Sequence, residues 1–506
     1  MKRIAKFIAV IILITTLFAL PACSSPDGGK NNGKPENNAD TSESGQLEET
    51  AEAIPESFIP NLPDMDYDGY EFRALVCTNN VYGFYTFDVE GQNGDILDDA
   101  IYTRNRYIEE KYNVVLKETA IEDFMQLSPR FKRSVTSGSD DFDICLQIDR
   151  YGYDLAVEGY ALSADKLPYM DLTRPWYRHD LNDTFSVGNK HFIAYSDECL
   201  HIYEGSMIMS FNKRLVSDLG IESPYNLVKN NAWTYDKFFD LCRSAVYDID
   251  GDGIMTDADL YGVVCQDDQL LANFWICAGY QTVVKDPDGM LALNTANENF
   301  YNILEKAREN LFGGIKLYFD ARNDKTDNLK PRNAQDGVRD ISLQQFDNNL
   351  ALFHATSIGR IPHMRAMETD FGIVPFPKAD GKQARYYTRV SGGWFKMVPS
   401  HTLDPERTSI ILEAVAAESR KTVLPAFKDI NLRTKLTRDD ESAEMLDIIF
   451  DNIVADLGDM MFLDSIGSLF TMEIRGQGNF ASLIEKNEAG FQKVLDKVNE
   501  AASNLD

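Results

Sequence analysis

From Tyr70 onward the chain alternates short apolar runs with amphipathic stretches of helical period, and this rhythm restricts what it can fold into. YEFRALVC (70–77) is strand-like, β-branched and aromatic residues preceding a polar turn at Thr78-Asn79-Asn80. ILDDAIYTRNRYIEEKY (96–112) carries the 3.6-residue period, NVVLKETA returns as a strand, and a second helix around 122–136 leads to the buried strand FDICLQI (142–148). Strand, helix, strand in this order predicts parallel βαβ units and an α/β class. SMIMSFNKRL (206–215) begins as a strand and opens a helix. TYDKFFDLCRSAVYD is amphipathic, with Thr234 placed to cap it. DPDG (286–289) reads as a hairpin turn, NENFYNILEKAREN (297–310) as a helix, and NLALFHA (349–355), FGIVPFP (371–377) and WFKMVPS (394–400) as strands. Helical period dominates 405–424, 439–456 and 480–502, and no repeat of solenoid length occurs. At 506 residues the chain is too long for one core, so two or more domains are expected.

The first 22 residues stand apart. Lys2, Arg3 and Lys6 form a positive end, and Phe7 to Leu20 an apolar or hydroxyl run shorter than the about 20 residues a membrane span needs. These are the proportions of a secretory signal. Leu20-Pro21-Ala22-Cys23 resembles the lipobox of bacterial lipoproteins, which implies a signal peptide over 1–22 and diacylglycerol on Cys23. Residues 24–50 hold one large apolar side chain, Leu47, and cannot form a core, so 23–59 is expected to be a disordered tether. The body would then sit, lipid-anchored, on the extracellular face of the cytoplasmic membrane. A net charge of −30 with no basic stripe argues against nucleic-acid binding and favours cations. Cys77, Cys145, Cys199, Cys242, Cys265 and Cys277 mostly lie in apolar runs such as FDICLQI, without any C-x-x-C, and are expected to be buried thiols rather than disulfides.

One local motif is sharp. In Asp248-Ile-Asp250-Gly-Asp252-Gly253-Ile254-Met-Thr256-Asp257-Ala-Asp259, acids stand at positions 1, 3, 5 and 12, with Gly at position 6. That is calcium-loop spacing, where alternate oxygens converge on a hard cation. Asp248, Asp250, Asp252, the Ile254 carbonyl, Thr256 and Asp259 are the expected ligands. The ion's expected role is structural, pinning helix 234–246 to strand 260–265; the rival reading is an acidic turn that binds nothing. Asp at position 12, where an EF-hand has Glu, resembles a dockerin loop. The lack of a second loop argues against a cohesin-binding module.

A second signal is distributed. Asp143-Ile-Cys-Leu-Gln-Ile-Asp149-Arg150-Tyr151-Gly152 ends a strand in a polar turn, and Glu204 precedes Phe211-Asn212-Lys213. Then His354-Ala355-Thr356 and Ser391-Gly-Gly393-Trp394 each lead toward a helix. With the lipobox, this order resembles the extracellular solute-binding proteins of ABC importers, of the maltose and oligosaccharide type, over about residues 65–500. The resemblance implies a two-lobed α/β fold of the periplasmic-binding-protein kind (type II), with Asp149 and Arg150 at a sugar. It also implies a lobe crossing after Glu204, ligand-driven closure, and docking to an ABC permease. Ligands in open α/β sheets bind beyond the carboxyl ends of strands, and sugars need planar polar groups and aromatic faces. Asn79, Asn80, Asp149, Arg150, Tyr151, Glu204, Gln269, Thr356 and Trp394 fall at such places. Trp176 and Trp233 are further candidates for the cleft wall, and Trp275 reads as core. The expected lobes are 60–205 with 345–392, and 206–344 with 393–506, hinged at Gly392-Gly393. With one Arg among the candidates, the expected ligand is a carbohydrate, an oligosaccharide, held by a monomer. No nucleophile-elbow, zincin, P-loop or dinucleotide motif is present. A secreted glycoside hydrolase or lyase, or a carbohydrate-binding adhesin without a transporter, is the rival from another class.

Overall fold

The computed structural model describes residues 58–78, 86–266, 269–332, 337–428, 438–476 and 478–505. The leader, Cys23 and nearly all of the tether, together with Asn79 and Asn80, lie outside the described residues.

The first sheet begins with β1 (Tyr70–Cys77), β2 (Val114–Ile121) and β3 (Ile144–Ile148), all parallel, with β1 in the middle. Helix α1 (Ile96–Tyr112) makes the crossover between β1 and β2. Asp95 caps it, accepting from the Leu97 and Asp98 N–H groups, and Asn113 ends it at φ 48°. Both ends are therefore written locally, and both α1 and β1 occupy the ranges their sequence patterns predict. Phe72, Ala74 and Val76 pack on one face of the sheet with Ile108, Tyr112 and Leu116. Leu75 and Cys77 join the cluster that holds Leu127 and Phe131 on the other.

The second sheet is built from β4 (Met207–Asn212), β5 (Tyr261–Cys265), β6 (Tyr318–Asp320), β7 (Ala351–Ser357) and β8 (Phe371–Val374). Its order is β8-β4-β7-β5-β6, with β5, β6 and β7 parallel and β4 antiparallel to both β7 and β8. Strand β9 (Trp394–Met397) then returns to the first sheet and pairs antiparallel with β3. The hairpin expected around 286–289 forms, Val283–Lys285 pairing with Leu291–Leu293.

The strands correct the expected lobe boundaries. β7 and β8, allotted by sequence to the first lobe, lie in the second sheet; β9, allotted to the second lobe, is the edge of the first. After β6, the helix at Val338–Asp347 returns the chain to the same sheet as a βαβ crossover, which places β7 beside β5. The C-terminal helices are shared as well. Pro405–Lys421 packs on α1, Asp440–Asp451 packs on β8, and the 25-residue helix Phe480–Asn504 reaches the hairpin.

Trp176, Trp233 and Trp275 are all fully buried. Trp233 donates to the Pro375 carbonyl (2.8 Å) and Trp275 to Asp456 Oδ2 (3.0 Å), so the first two are core rather than cleft wall, alongside Trp275. The six described cysteines are buried thiols, with no disulfide among the described residues. Among those residues no helix is long and apolar enough to cross a membrane.

Candidate functional site

The carboxyl ends of β3, β5 and β7 meet at a cavity of about 360 Å³. Its floor is formed by two runs of backbone that pass from one sheet to the other. Gly205–Ser206 carries the chain into β4, and Val390–Gly393 carries it back into β9. The two runs are joined: Ser391 N–H donates to the Gly205 carbonyl (3.0 Å), and Ser206 bridges Val390 in antiparallel fashion. A Cβ on Gly205 would stand 2.7 Å from the Gly392 carbonyl oxygen, and Gly392 sits at φ 136°, so this close crossing requires glycine at both positions.

Asp149, first residue of helix α2 (Asp149–Val157), holds the returning run in place. Its carboxylate is 1% exposed. Oδ2 accepts from Gly393 N–H (2.5 Å) and from the Tyr195 hydroxyl (3.3 Å), while Oδ1 accepts from Arg150 N–H (2.8 Å). Burial pushes Asp149 up to about 6 despite these donors. Its carboxylate borders the cavity but is committed to the protein's own backbone.

Seven of the nine ligand residues predicted from sequence line this cavity: Asp149, Arg150, Tyr151, Glu204, Gln269, Thr356 and Trp394. Tyr151 stacks on Phe124, ring centroids 6.5 Å apart at 26°, giving the wall an aromatic face. Trp394 is 7% exposed, and its ring centroid lies 5.8 Å from that of His201. Gln269 opens helix α3 (Gln269–Ile276) and is oriented by Arg389, whose Nη1 donates to Gln269 Oε1 (3.2 Å). Arg389 is itself held by a buried two-pronged ion pair with Asp459 (2.6 and 2.9 Å). Thr356 lies on β7 opposite Ile208.

Sequence reasoning missed Phe124, His201, Gln266, Arg339, Arg360 and His363, which line the same space. Arg360 follows the carboxyl end of β7 by three residues, so the strand-end logic that selects Thr356 extends to it. Arg339 opens a helix far away in sequence, and no local pattern marks it.

The loop at 248–259 is separate from the cavity. Carboxylate oxygens of Asp248, Asp250 and Asp252 lie within 4.8 Å of one another, a spacing that suits a cation. Asp259 does not join them. It is buried, accepting from the Ile249 N–H and from both the N–H and hydroxyl of Thr256, and it closes the loop as an internal brace. Of the expected ligand set, Asp248, Asp250 and Asp252 converge, while the Asp259 carboxylate is engaged by the loop's own donors.

No family model matches the chain, and no curated protein does. Solved structures do match in fold. An ABC substrate-binding protein of Listeria monocytogenes in complex with cycloalternan superposes with TM-score 0.53 at 12% identity, over 85% of this chain and 100% of that one. A cyclo/maltodextrin-binding protein complexed with maltotetraose gives 0.53 at 13%, over 87% and 98%. UgpB of Mycobacterium tuberculosis in complex with glycerophosphocholine gives 0.51 at 15%, over 85% and 98%. The chain therefore has the two-lobed α/β fold of ABC solute-binding proteins, as the sequence predicts.

Proposed function

We propose that this protein is the solute-binding component of an ABC importer, capturing a carbohydrate in the cleft between its two sheets and delivering it to a membrane permease. The observation that carries the reading is the cavity itself. Strand ends from both sheets face it, and a paired, glycine-lined crossing joins the two sides at its floor. Planar polar groups (Arg150, Gln269, Gln266) and an aromatic wall (Tyr151 on Phe124) supply what a hydroxyl-rich ring needs. Three solved proteins of the same fold are described with cycloalternan, maltotetraose and glycerophosphocholine, all hydroxyl-bearing solutes.

Binding rather than hydrolysis is favoured by the state of the acids. Glycoside cleavage uses two carboxyl groups at the scissile bond. Among the described lining residues the carboxylates are Asp149 and Glu204, and Asp149 is tied to Gly393, Tyr195 and Arg150. Calorimetry across an oligosaccharide panel should find saturable one-to-one binding with the sugar recovered intact. Release of shortened products would replace this reading with the hydrolase.

The lipid anchor on Cys23 belongs to the same proposal, supported by the lipobox and the polar stretch that follows it. Labelled palmitate should enter the wild-type chain in cells and be lost from Cys23→Ser. A calcium ion held by Asp248, Asp250 and Asp252 is proposed as a structural companion, supported by their convergence.

A further inference from the structure

We propose a second binding site, for a phosphate group, where Arg178, Arg420 and Lys428 gather around Tyr203 outside the cavity. The short helix His201–Glu204 faces two ways. His201 and Glu204 line the cavity, while Tyr203 between them is 2% exposed and meets the Phe450 ring edge-on, centroids 5.2 Å apart. Two cations stand on the Tyr203 ring. Lys428 Nζ lies 4.5 Å from its centroid and 5.2 Å from that of Phe450. The Arg178 guanidinium lies 5.5 Å from the Tyr203 centroid, and its Nη1 donates to the hydroxyl (3.3 Å). Arg420 is the third cation, its Nη1 pairing with Asp197 Oδ2 at 3.2 Å.

The chain carries a net charge of −30, yet this cluster is positive. Arg178 and Lys428 make no ion pair among the described residues; their partners are aromatic rings and one neutral hydroxyl. The acids that act on Lys428 are Asp197, which is 1% exposed and committed to Arg420, and the exposed Asp451. They do not balance the cluster. Burial first, and repulsion by Arg178 and Arg420 after it, hold the Lys428 ammonium below its usual range against the pull of both aspartates. Burial also pushes Asp197 up to about 6, although Arg420 opposes the shift. Like charges held together in partly desolvated surroundings cost stability, and an anion seated among them removes that cost.

The cations present set the class of anion. A guanidinium fork matches two oxygens of a phosphate, and an ammonium serves a third as a point charge. With Arg420 answered by Asp197, the charges of Arg178 and Lys428 remain, and a phosphate dianion matches both where a carboxylate matches one. The place of the cluster admits two sources of that phosphate. The Arg420 guanidinium lies 5.3 Å from the ring centroid of Phe58, the first residue described after the expected tether. A headgroup of the anchoring membrane is therefore one source, and a soluble phosphate is the other.

The test is calorimetry on the full-length protein in a non-ionic detergent. The probes are inorganic phosphate, glycerol 1-phosphate and dihexanoyl phosphatidic acid below its micellar concentration, with acetate and dihexanoyl phosphatidylcholine as controls. At least one phosphate should bind one-to-one with a dissociation constant below about 1 mM and at least tenfold more tightly than acetate. Its affinity should fall fivefold or more between about 50 and about 500 mM NaCl. Arg178→Gln and Lys428→Met should each weaken it tenfold or more, while Arg150→Gln, in the cavity, should leave it within twofold. Circular dichroism and melting temperature establish that each variant is folded, and the salt series on the wild-type chain needs no variant. Phosphatidic acid bound tenfold or more tightly than glycerol 1-phosphate assigns the membrane headgroup as the ligand; any smaller difference assigns a soluble phosphate. The inference is overturned if no phosphate binds saturably, or if affinity is unchanged in both Arg178→Gln and Lys428→Met. Loss of phosphate binding in Arg150→Gln would overturn it too, by placing the anion in the cavity.

Discussion

Asp149 shows how a residue can be legible in position and not in role. Strand-end reasoning and the resemblance to solute-binding proteins both place it at the ligand, and it does border the cavity. Its main partner, however, is the N–H of Gly393, 244 positions away, and no local pattern reveals a bond of that span. Removing the carboxylate leaves a buried N–H and a tyrosine hydroxyl without an acceptor. Asp149→Ala is therefore expected to cost about 2 kcal/mol of stability, read from urea denaturation. Tyr151→Ala, on the partly exposed aromatic wall, should leave stability within about 0.5 kcal/mol of wild type and weaken ligand binding by roughly tenfold. The Asp149 carboxyl also has a pH signature. Burial raises it from 3.8 to about 6, so the folded chain holds this proton more tightly than the unfolded chain does. Its contribution is then most favourable below about pH 4, declines as pH rises through 6, and is flat above. The stability difference between wild type and Asp149→Asn should move against wild type across that window by on the order of 3 kcal/mol. A difference independent of pH would mean that the carboxyl is better solvated than its burial implies.

Elements were more legible where their ends carry their own chemistry. Helix α1 starts at an aspartate cap and stops at an asparagine in the left-handed region, and both signals are local. The sheet to which a strand belongs is not local. β7 is buried on both faces, so its pattern does not name its partners, and the helical crossover before it decides its neighbours. That is why the predicted lobe boundaries exchange β7 and β8 for β9. Trp176 and Trp233 misled for a related reason: a lone aromatic in a short connecting segment reads equally well as a wall or as a core plug. The loop at 248–259 divides in the same way, spacing being legible and bonding not. Asp259 fits the twelfth position, yet its oxygens are taken by Ile249 and Thr256. Calcium at a hundredfold excess over its dissociation constant should add about 2.7 kcal/mol to stability and raise the melting temperature, with chelator reversing the gain. Asp250→Asn should abolish the calcium effect with little change in the apo protein, while Asp259→Ala should destabilise with or without calcium. A melting curve indifferent to calcium and chelator would remove the ion and leave a braced turn.

At the scale of the whole molecule, the arrangement of two sheets around a shared cavity suits a protein that closes on its ligand. A bound solute stabilises the closed arrangement by the affinity it has for that state over the open one. Small-angle scattering should show the radius of gyration shrinking when a saturating glycan is added, and an unchanged radius would favour a rigid preformed pocket. Breaking the buried Arg389–Asp459 pair, which orients Gln269 from behind, should cost about 3–5 kcal/mol in Asp459→Ala because it strands a buried guanidinium.

The lacing of Ser391 to Gly205 has a mechanical consequence. Two independent connectors would let the halves swing, shear and rotate separately, but connectors stitched edge to edge behave as one narrow ribbon that is stiff in its own plane and soft across it. Beside the further passage that the C-terminal helices make from α1 to β8, this ribbon favours folding about a crease over sliding of one sheet past the other.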